Sequence, residues 1–297
     1  MNFGDTYRVK VILTPPHNVF VQERKFGENQ VVTILDDNHT MLECDMKLKE
    51  NVISFLLFFG SCATLIEPKE IMDELKLTTR KMVNKVMNKK TIFFDFNGTI
   101  LDDVDLCLNL LNDLLKENNL KTLTKDEYKH IFCFPVKSYY EKAGLDFSKV
   151  SFEELSKDFI KKYQKPSLKC NLQPNVVETI KDLIENGYNI VLLTASKTSN
   201  VIEQLKHFNI YELFSDVLGL SDIYATSKVE VGKNYIKNYN IDPKDAIMIG
   251  DTDHDKEVAS QMGIDCILYS KGHQARDVLE RVSDKVIDDF SEVYKYI

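Results

Sequence analysis

The stretch TIFFDFNGTILDD, residues 91–103, decides how the larger part of the chain is read. It opens on an apolar run of strand length and places a carboxylate, Asp95, directly after it, with Gly98 allowing a tight turn beneath. Working outward, short apolar runs at 189–193, 246–249 and 265–269 alternate with helical patterns. That alternation is the signature of βαβ units and of a parallel sheet covered on both faces. The run VDLCLNLLNDLLKEN carries apolar residues at 104, 107, 108, 111, 114 and 115, one face at helical period. Pro174 is expected to open another helix and Gly187 to close it. The expected class is α/β, a Rossmann-like doubly wound sheet.

About sixty residues between the first and second core strands read as helix only. Thr124 with Glu127, and Ser151 with Glu154, mark two capping-box starts, while Gly144 and Pro166 mark helix ends. So long an insertion exceeds a crossover connection. It predicts a helical cap at about 104–170, standing over the carboxyl ends of the strands, where open α/β sheets bind ligands. Near residue 88 the charged periodic stretch EIMDELKLTTRKMVNKVMNKK (70–90) gives way to TIFFDFNGTI, which predicts two domains, 1–88 and 89–297. The first reads as a strand (YRVKVIL), a hairpin turning at Asp37-Asn38, a helix (NVISFLLFFG), a strand (CATLIEP) and a helix over 69–88. This is a small α+β, ferredoxin-like module with no paired His, Cys or carboxylate cluster.

Of 297 residues, 43% are hydrophobic and 28% charged, the mix of an ordinary globular chain. A net charge of −8 argues against nucleic acid or an anionic membrane as partner, both being negative themselves. The six cysteines show no C-x-x-C pair, so neither a zinc site nor a disulfide framework is expected, and a reducing cytoplasm fits best. No secretory signal pattern opens the chain. The longest apolar stretch, at 52–66, is too short to span a bilayer and is interrupted by Gly60 and Ser61, so it reads as a buried helix running into a strand.

Three further motifs follow the first in order: NIVLLTAS ending a strand with Thr194, ATSKVEVGK with Lys228, and IMIGDTDHD with Asp251 and Asp255. Together with D-x-N-G-T at 95–99 they resemble the haloacid dehalogenase (HAD) superfamily, and the single helical insertion resembles its phosphoglycolate-phosphatase-like branch. The resemblance covers about 205 residues. It implies an Mg²⁺-dependent phosphohydrolase acting on a small phosphorylated metabolite. Asp95 would attack phosphorus to give an aspartyl-phosphate. Asp95, Asp251 and the carbonyl of Asn97 would hold Mg²⁺, with Asp255 acting through water or neighbouring contacts. Thr194 and Lys228 would bind phosphoryl oxygens, Lys233 being the alternative lysine; Ser227 looks like the cap of the helix that Lys228 begins.

Asn97 departs from the family pattern, which has a second Asp there as general acid and base. An amide cannot exchange that proton. Three readings follow: a slowed phosphatase, an enzyme for a substrate with a good leaving group, or a domain that binds a phosphorylated ligand or regulates without turnover. Asp102 or Asp103 stands near enough in sequence to replace the missing acid. Asp253 and His254 read as exposed loop residues. In the insertion, FCFPVKSYYEKAG resembles the segment by which relatives contact substrate, which makes Lys137 a candidate for an anionic group. Residues 6 to about 88 resemble the C-terminal extension domain that follows WYL domains in bacterial transcriptional regulators, on V-x-V-x-L, V-x-E-R and L-x-E-P-x-E. A dimerisation module is an equal reading, and would make the protein a homo-oligomer through this part.

Overall fold

The structure is a computed structural model and describes residues 5–72, 74–76, 78–79, 82, 90–148, 151–220 and 227–297. Contacts divide the chain into two compact units, Met1–Asn88 and Lys89–Ile297. Among the described residues no helix is long and apolar enough to cross a membrane.

In the first unit, β1 (Thr6–Leu13), β2 (Glu28–Asp36), β3 (His39–Lys47) and β4 (Ala63–Glu67) form one antiparallel sheet in the order β2-β3-β1-β4. The hairpin turns at Asp37-Asn38, and with the helix Lys49–Phe59 between β3 and β4 this is the ferredoxin-like order, its first helix cut to the single turn His17–Phe20. One face alternates inward: Val9, Val11 and Leu13 of β1 and Leu42, Cys44 and Met46 of β3 pack on Val52, Phe55, Leu56 and Phe59 of the helix. Helical backbone follows at residues 72, 74–76, 78–79 and 82; the remainder of the expected 69–88 helix lies outside the described residues.

The second unit is built on β5 (Thr91–Phe94), β8 (Asn189–Lys197), β9 (Asp216–Leu220), β10 (Ala246–Gly250), β11 (Asp265–Tyr269) and β12 (Val286–Ile287). They run parallel in the order β12-β11-β10-β5-β8-β9. Alternate residues separate into two cores. Ile92, Phe94, Ile190, Leu192 and Ile249 face one layer of helices; Phe93, Val191, Leu193, Met248 and Leu268 face the other. Each such side chain, fully buried, contributes about 1.5–3 kcal/mol. The chain runs outward from β5 to β8 and β9, then returns to β10 on the other side. The order therefore reverses at the β5/β10 junction, the place where doubly wound sheets bind ligands.

The insertion comprises helices Val104–Glu117, Lys125–Ile131, Val136–Lys142 and Phe152–Ser167, packed about Leu111, Leu115, Tyr128 and Tyr140. A two-stranded ribbon of β6 (Leu101–Asp102) and β7 (Asn171–Leu172) stands at its root. Several local expectations need correction. The second capping box does not form: Ser151 occupies the N-cap but its hydroxyl bonds no helix amide, leaving Glu153 and Glu154 as the anionic complement of that terminus. Pro166 lies inside the last turn of its helix instead of ending it. Pro174 precedes the cap of Val176–Glu185, which is Asn175 in the left-handed conformation that asparagine tolerates. β8 continues through Thr194 to Lys197, with a register shift against β9 after Leu193.

Candidate active site

Four carboxylates, one lysine and one histidine converge at the reversal point. Asp95 follows β5 and its amide bonds Ile249 O at 2.9 Å, which locks the strand end against β10. The chain then turns sharply, Gly98 N bonding Leu101 O at 2.9 Å. Gly98 has φ +73°, and a Cβ there would stand 2.2 Å from Asp251 Oδ2, so no other residue fits beneath the carboxylate. At Gly250 a Cβ would likewise run into the Asp255 carboxylate.

Asp251 follows β10 and is buried; its carboxylate accepts from Thr99 Oγ1 at 3.0 Å and from the His273 amide at 2.6 Å. Asp255 Oδ2 accepts from the amides of Asp251 and Thr252 and from Thr252 Oγ1, closing a capping box on the helix Asp253–Met262. Its other oxygen accepts from Lys228 Nζ at 2.6 Å, and the same ammonium lies 2.5 Å from Asp95 Oδ1. Ser227 caps the helix Lys228–Tyr239 through Glu230 N, which aims the buried Lys228 inward, while Lys233 is exposed. Burial, reinforced by Asp255 and Asp251, holds the Asp95 carboxyl above its usual range even though Lys228 opposes this. Burial raises Asp251 likewise. Asp255 is lowered: burial works against its charge, but Lys228 and Thr252 prevail.

Asn97 is held on both sides of its amide. Ser196 Oγ donates to its Oδ1 at 2.9 Å, and its Nδ2 donates to Asp103 Oδ2 at 2.9 Å and to Tyr163 Oη at 2.6 Å. Asp103 accepts from Gly98 N at 2.8 Å and from Tyr163 Oη at 2.5 Å, with His273 Nε2 at 3.2 Å. Burial disfavours its charge, yet the His273 imidazole and the surrounding donors hold it below the usual carboxylate range. Burial likewise opposes the imidazolium of His273, and Asp103 and Asp251 overcome it, raising that pKa. A carboxylate so saturated with donors is an acceptor with no proton to give, which removes Asp103 as the substitute acid. Asp102 is exposed and pairs with Asn171 in the ribbon at the root of the cap.

A cavity of about 390 Å³ opens over this cluster, lined from below by Asp95, Asn97, Thr194, Lys228, Asp251 and Asp255. Thr194 is buried, and its hydroxyl accepts from Ser196 N at 3.1 Å. The structure leaves Lys137 outside: it lies 3.9 Å from Glu141 and over the Phe147 ring on the exposed side of its helix. His254, expected in an exposed loop, lines the cavity and stacks on Phe134 at 4.5 Å, while Asp253 bonds Gln274. Tyr163, Ser196 and His273 were absent from the expected set. For His273 a signal existed, since S-K-G-H-Q follows directly on a core strand, at the end of the sheet where ligands bind.

Oxygens of Asp95, Asp251 and Asp255 lie within 4.8 Å of one another, all buried. Around them Asp95, Asp103, Asp251 and Asp255 outnumber the cations Lys228 and His273. Hard oxygen donors with an excess of negative charge fit a dication of the Mg²⁺ kind.

A buried carboxylate triad with a lysine between two of its members, at the carboxyl end of a doubly wound sheet and under a helical cap, defines a class of phosphoryl-handling hydrolases. The sequence profile of haloacid dehalogenase-like hydrolases matches residues 92–269, and the chain belongs to that family. A second profile, the WCX domain, matches residues 5–83. A phosphoglycolate phosphatase from Psychrobacter arcticus is 27% identical over 71% of this chain and 96% of its own length. A tyrosine-protein kinase from Mycobacterium tuberculosis is 24% identical over 66% of this chain and 67% of its own. Among solved structures, a haloacid dehalogenase-like hydrolase from Streptococcus pneumoniae superposes with a TM-score of 0.60 at 22% identity, covering 70% of this chain and 98% of that one.

Proposed function

We propose that residues 89–297 hydrolyse a small phosphorylated metabolite through an aspartyl-phosphate on Asp95, with Mg²⁺ as cofactor. The observation that carries this reading is the placement of Lys228 Nζ between Asp95 and Asp255, with Asp251 beside them. Asp95, Asp251 and the carbonyl of Asn97 would hold Mg²⁺, which when bound neutralises charge between the nucleophile and the phosphate dianion. An Asp95 oxygen attacks phosphorus while Lys228 and Thr194 receive the phosphoryl oxygens. Asp255 positions Lys228 and caps the helix behind the site. Asn97 supplies an amide donor and acceptor and moves no proton, so the ester oxygen departs without an acid and water attacks the intermediate without a base.

This makes the second step slow. With acetyl phosphate and Mg²⁺ the wild type is expected to accumulate aspartyl-phosphate up to the enzyme concentration before slow phosphate release. Asn97→Asp should speed that release by about 10²–10⁴-fold. Asp95→Asn should form no intermediate while keeping its fold. A specific observation favours a second reading, a protein that binds a phosphorylated ligand: Asn97 is fully engaged by Ser196, Asp103 and Tyr163. Wild-type protein that neither accumulates intermediate nor releases phosphate would decide for that reading.

A further inference from the structure

The cap wall of the cavity is made chiefly of rings, with Ser156 and Gln164 among its other members. Phe132, Phe134, Tyr139, Phe152 and Phe159 line it, with Ile160 at the exposed side. They are fixed by one another and by the core: Phe132 stacks on His273 at 4.8 Å, Phe134 on His254 at 4.5 Å, and Phe159 on Tyr163 at 5.7 Å. Among the described residues the cap contributes no lysine or arginine to the lining. The two lysines there, Lys197 and Lys228, come from the core, and Lys228 is engaged by Asp95 and Asp255. A substrate whose leaving group carries a carboxylate finds no cation on that side, since Lys137 lies outside. An aromatic leaving group finds apolar rings and room for one more, the cavity falling in the usual range for small-molecule sites.

The core side makes an independent demand. Without an acid at residue 97, the leaving oxygen must depart as an anion. A phenolic oxygen, with a pKa of about 10, does so far more readily than an alkyl oxygen near the water value of about 15.7. Rings above and an amide below select the same molecules. We propose that the substrates are phosphate monoesters of phenols, bound with the ring against the cap phenylalanines and the phosphate over Asp95. This rests on the hydrolase reading above. As the bond from the Asp95 oxygen to phosphorus forms, the P–O bond to the ring oxygen breaks with its electron pair on that oxygen. The aryloxide leaves and takes its proton from solvent. Water then attacks phosphorus, the bond from the Asp95 oxygen to phosphorus breaks, the carboxylate is regenerated and inorganic phosphate is released, the proton of water passing to phosphate or solvent.

The test compares phenyl phosphate, 2-phosphoglycolate and acetyl phosphate on the full chain with Mg²⁺. Acetyl phosphate has a good leaving group and no ring. The expected result is a kcat/KM for phenyl phosphate at least about 100-fold above that for 2-phosphoglycolate, the usual worth of the missing acid. Phe134→Leu should lower the phenyl-to-acetyl ratio by up to about tenfold, the scale of one aromatic contact. Phe159→Leu repeats the measurement on another part of the wall if the first variant does not fold. Acetyl phosphate turnover with no preference for phenyl phosphate over 2-phosphoglycolate, or with a ratio indifferent to the ring substitutions, overturns the substrate class and leaves the hydrolase standing. Failure to form intermediate from any of the three overturns the hydrolase reading, and the substrate class with it.

Discussion

Lys228 is 5% exposed, and its ammonium is the cation that Asp95 and Asp255 share. Removing one member of a buried charge set leaves the others uncompensated, at a cost of about 3–5 kcal/mol. Lys228→Met should therefore lower the urea midpoint of the metal-free protein by that equivalent, and added Mg²⁺ should restore part of it by supplying charge to Asp95. An unchanged midpoint would mean that the carboxylates take up protons instead, as the raised pKa of Asp95 allows. The residues in this cluster were legible through the resemblance to the HAD motifs, each of which follows a core strand or starts a helix at the ligand-binding end of the sheet. Tyr163 was not. It reaches Asn97 across 66 residues of chain. No local pattern encodes how the cap is turned on the core, which left Lys137 a candidate for the site although its helix presents it to solvent.

At the scale of elements, the helix Lys125–Ile131 shows what the capping signal does when it is complete. Thr124 Oγ1 accepts from Glu127 N, and the Glu127 carboxylate accepts from Thr124 N and from Lys121, which lowers its pKa to about 2. A carboxyl depressed on folding adds stability above its unfolded pKa, about 4.3, and loses it as the pH falls through the folded value. The thermal midpoints of wild type and Glu127→Gln should differ at pH 7, and the gap should close between about pH 4.5 and 2. A gap that persists at pH 2 would assign the difference to amide geometry and not to charge. Ser151 and Glu154 spell the same motif without forming it, so the pattern gives the helix start while the side-chain bond depends on local approach. The elements missed in the sheet are those with the least hydrophobic signature: β9, a half-buried edge strand of five residues containing Gly219, and β12, two residues long. The central strands, buried on both faces, announced themselves as continuous apolar runs.

For the whole molecule, every residue lining the cavity and all three apolar cores of the α/β part lie within Lys89–Ile297. A chain beginning at Lys89 should accordingly unfold cooperatively and retain the full chain's kcat/KM within about twofold, measured by urea titration and phosphate release. Loss of activity with retained fold would assign the WCX-like part a role in catalysis. The insertion is held to the core by bonds from both directions: Lys129 Nζ to Ser270 O, Gln274 Nε2 to Phe132 O, and Tyr163 Oη to Asp103. A ligand bound with its ring against this cap needs the covered form that these bonds hold, so apparent affinity is the intrinsic affinity scaled by the fraction of molecules covered; a fraction of about one in a hundred would weaken it about a hundredfold. Loosening Lys129 or Gln274 should thus weaken binding without touching the ligand.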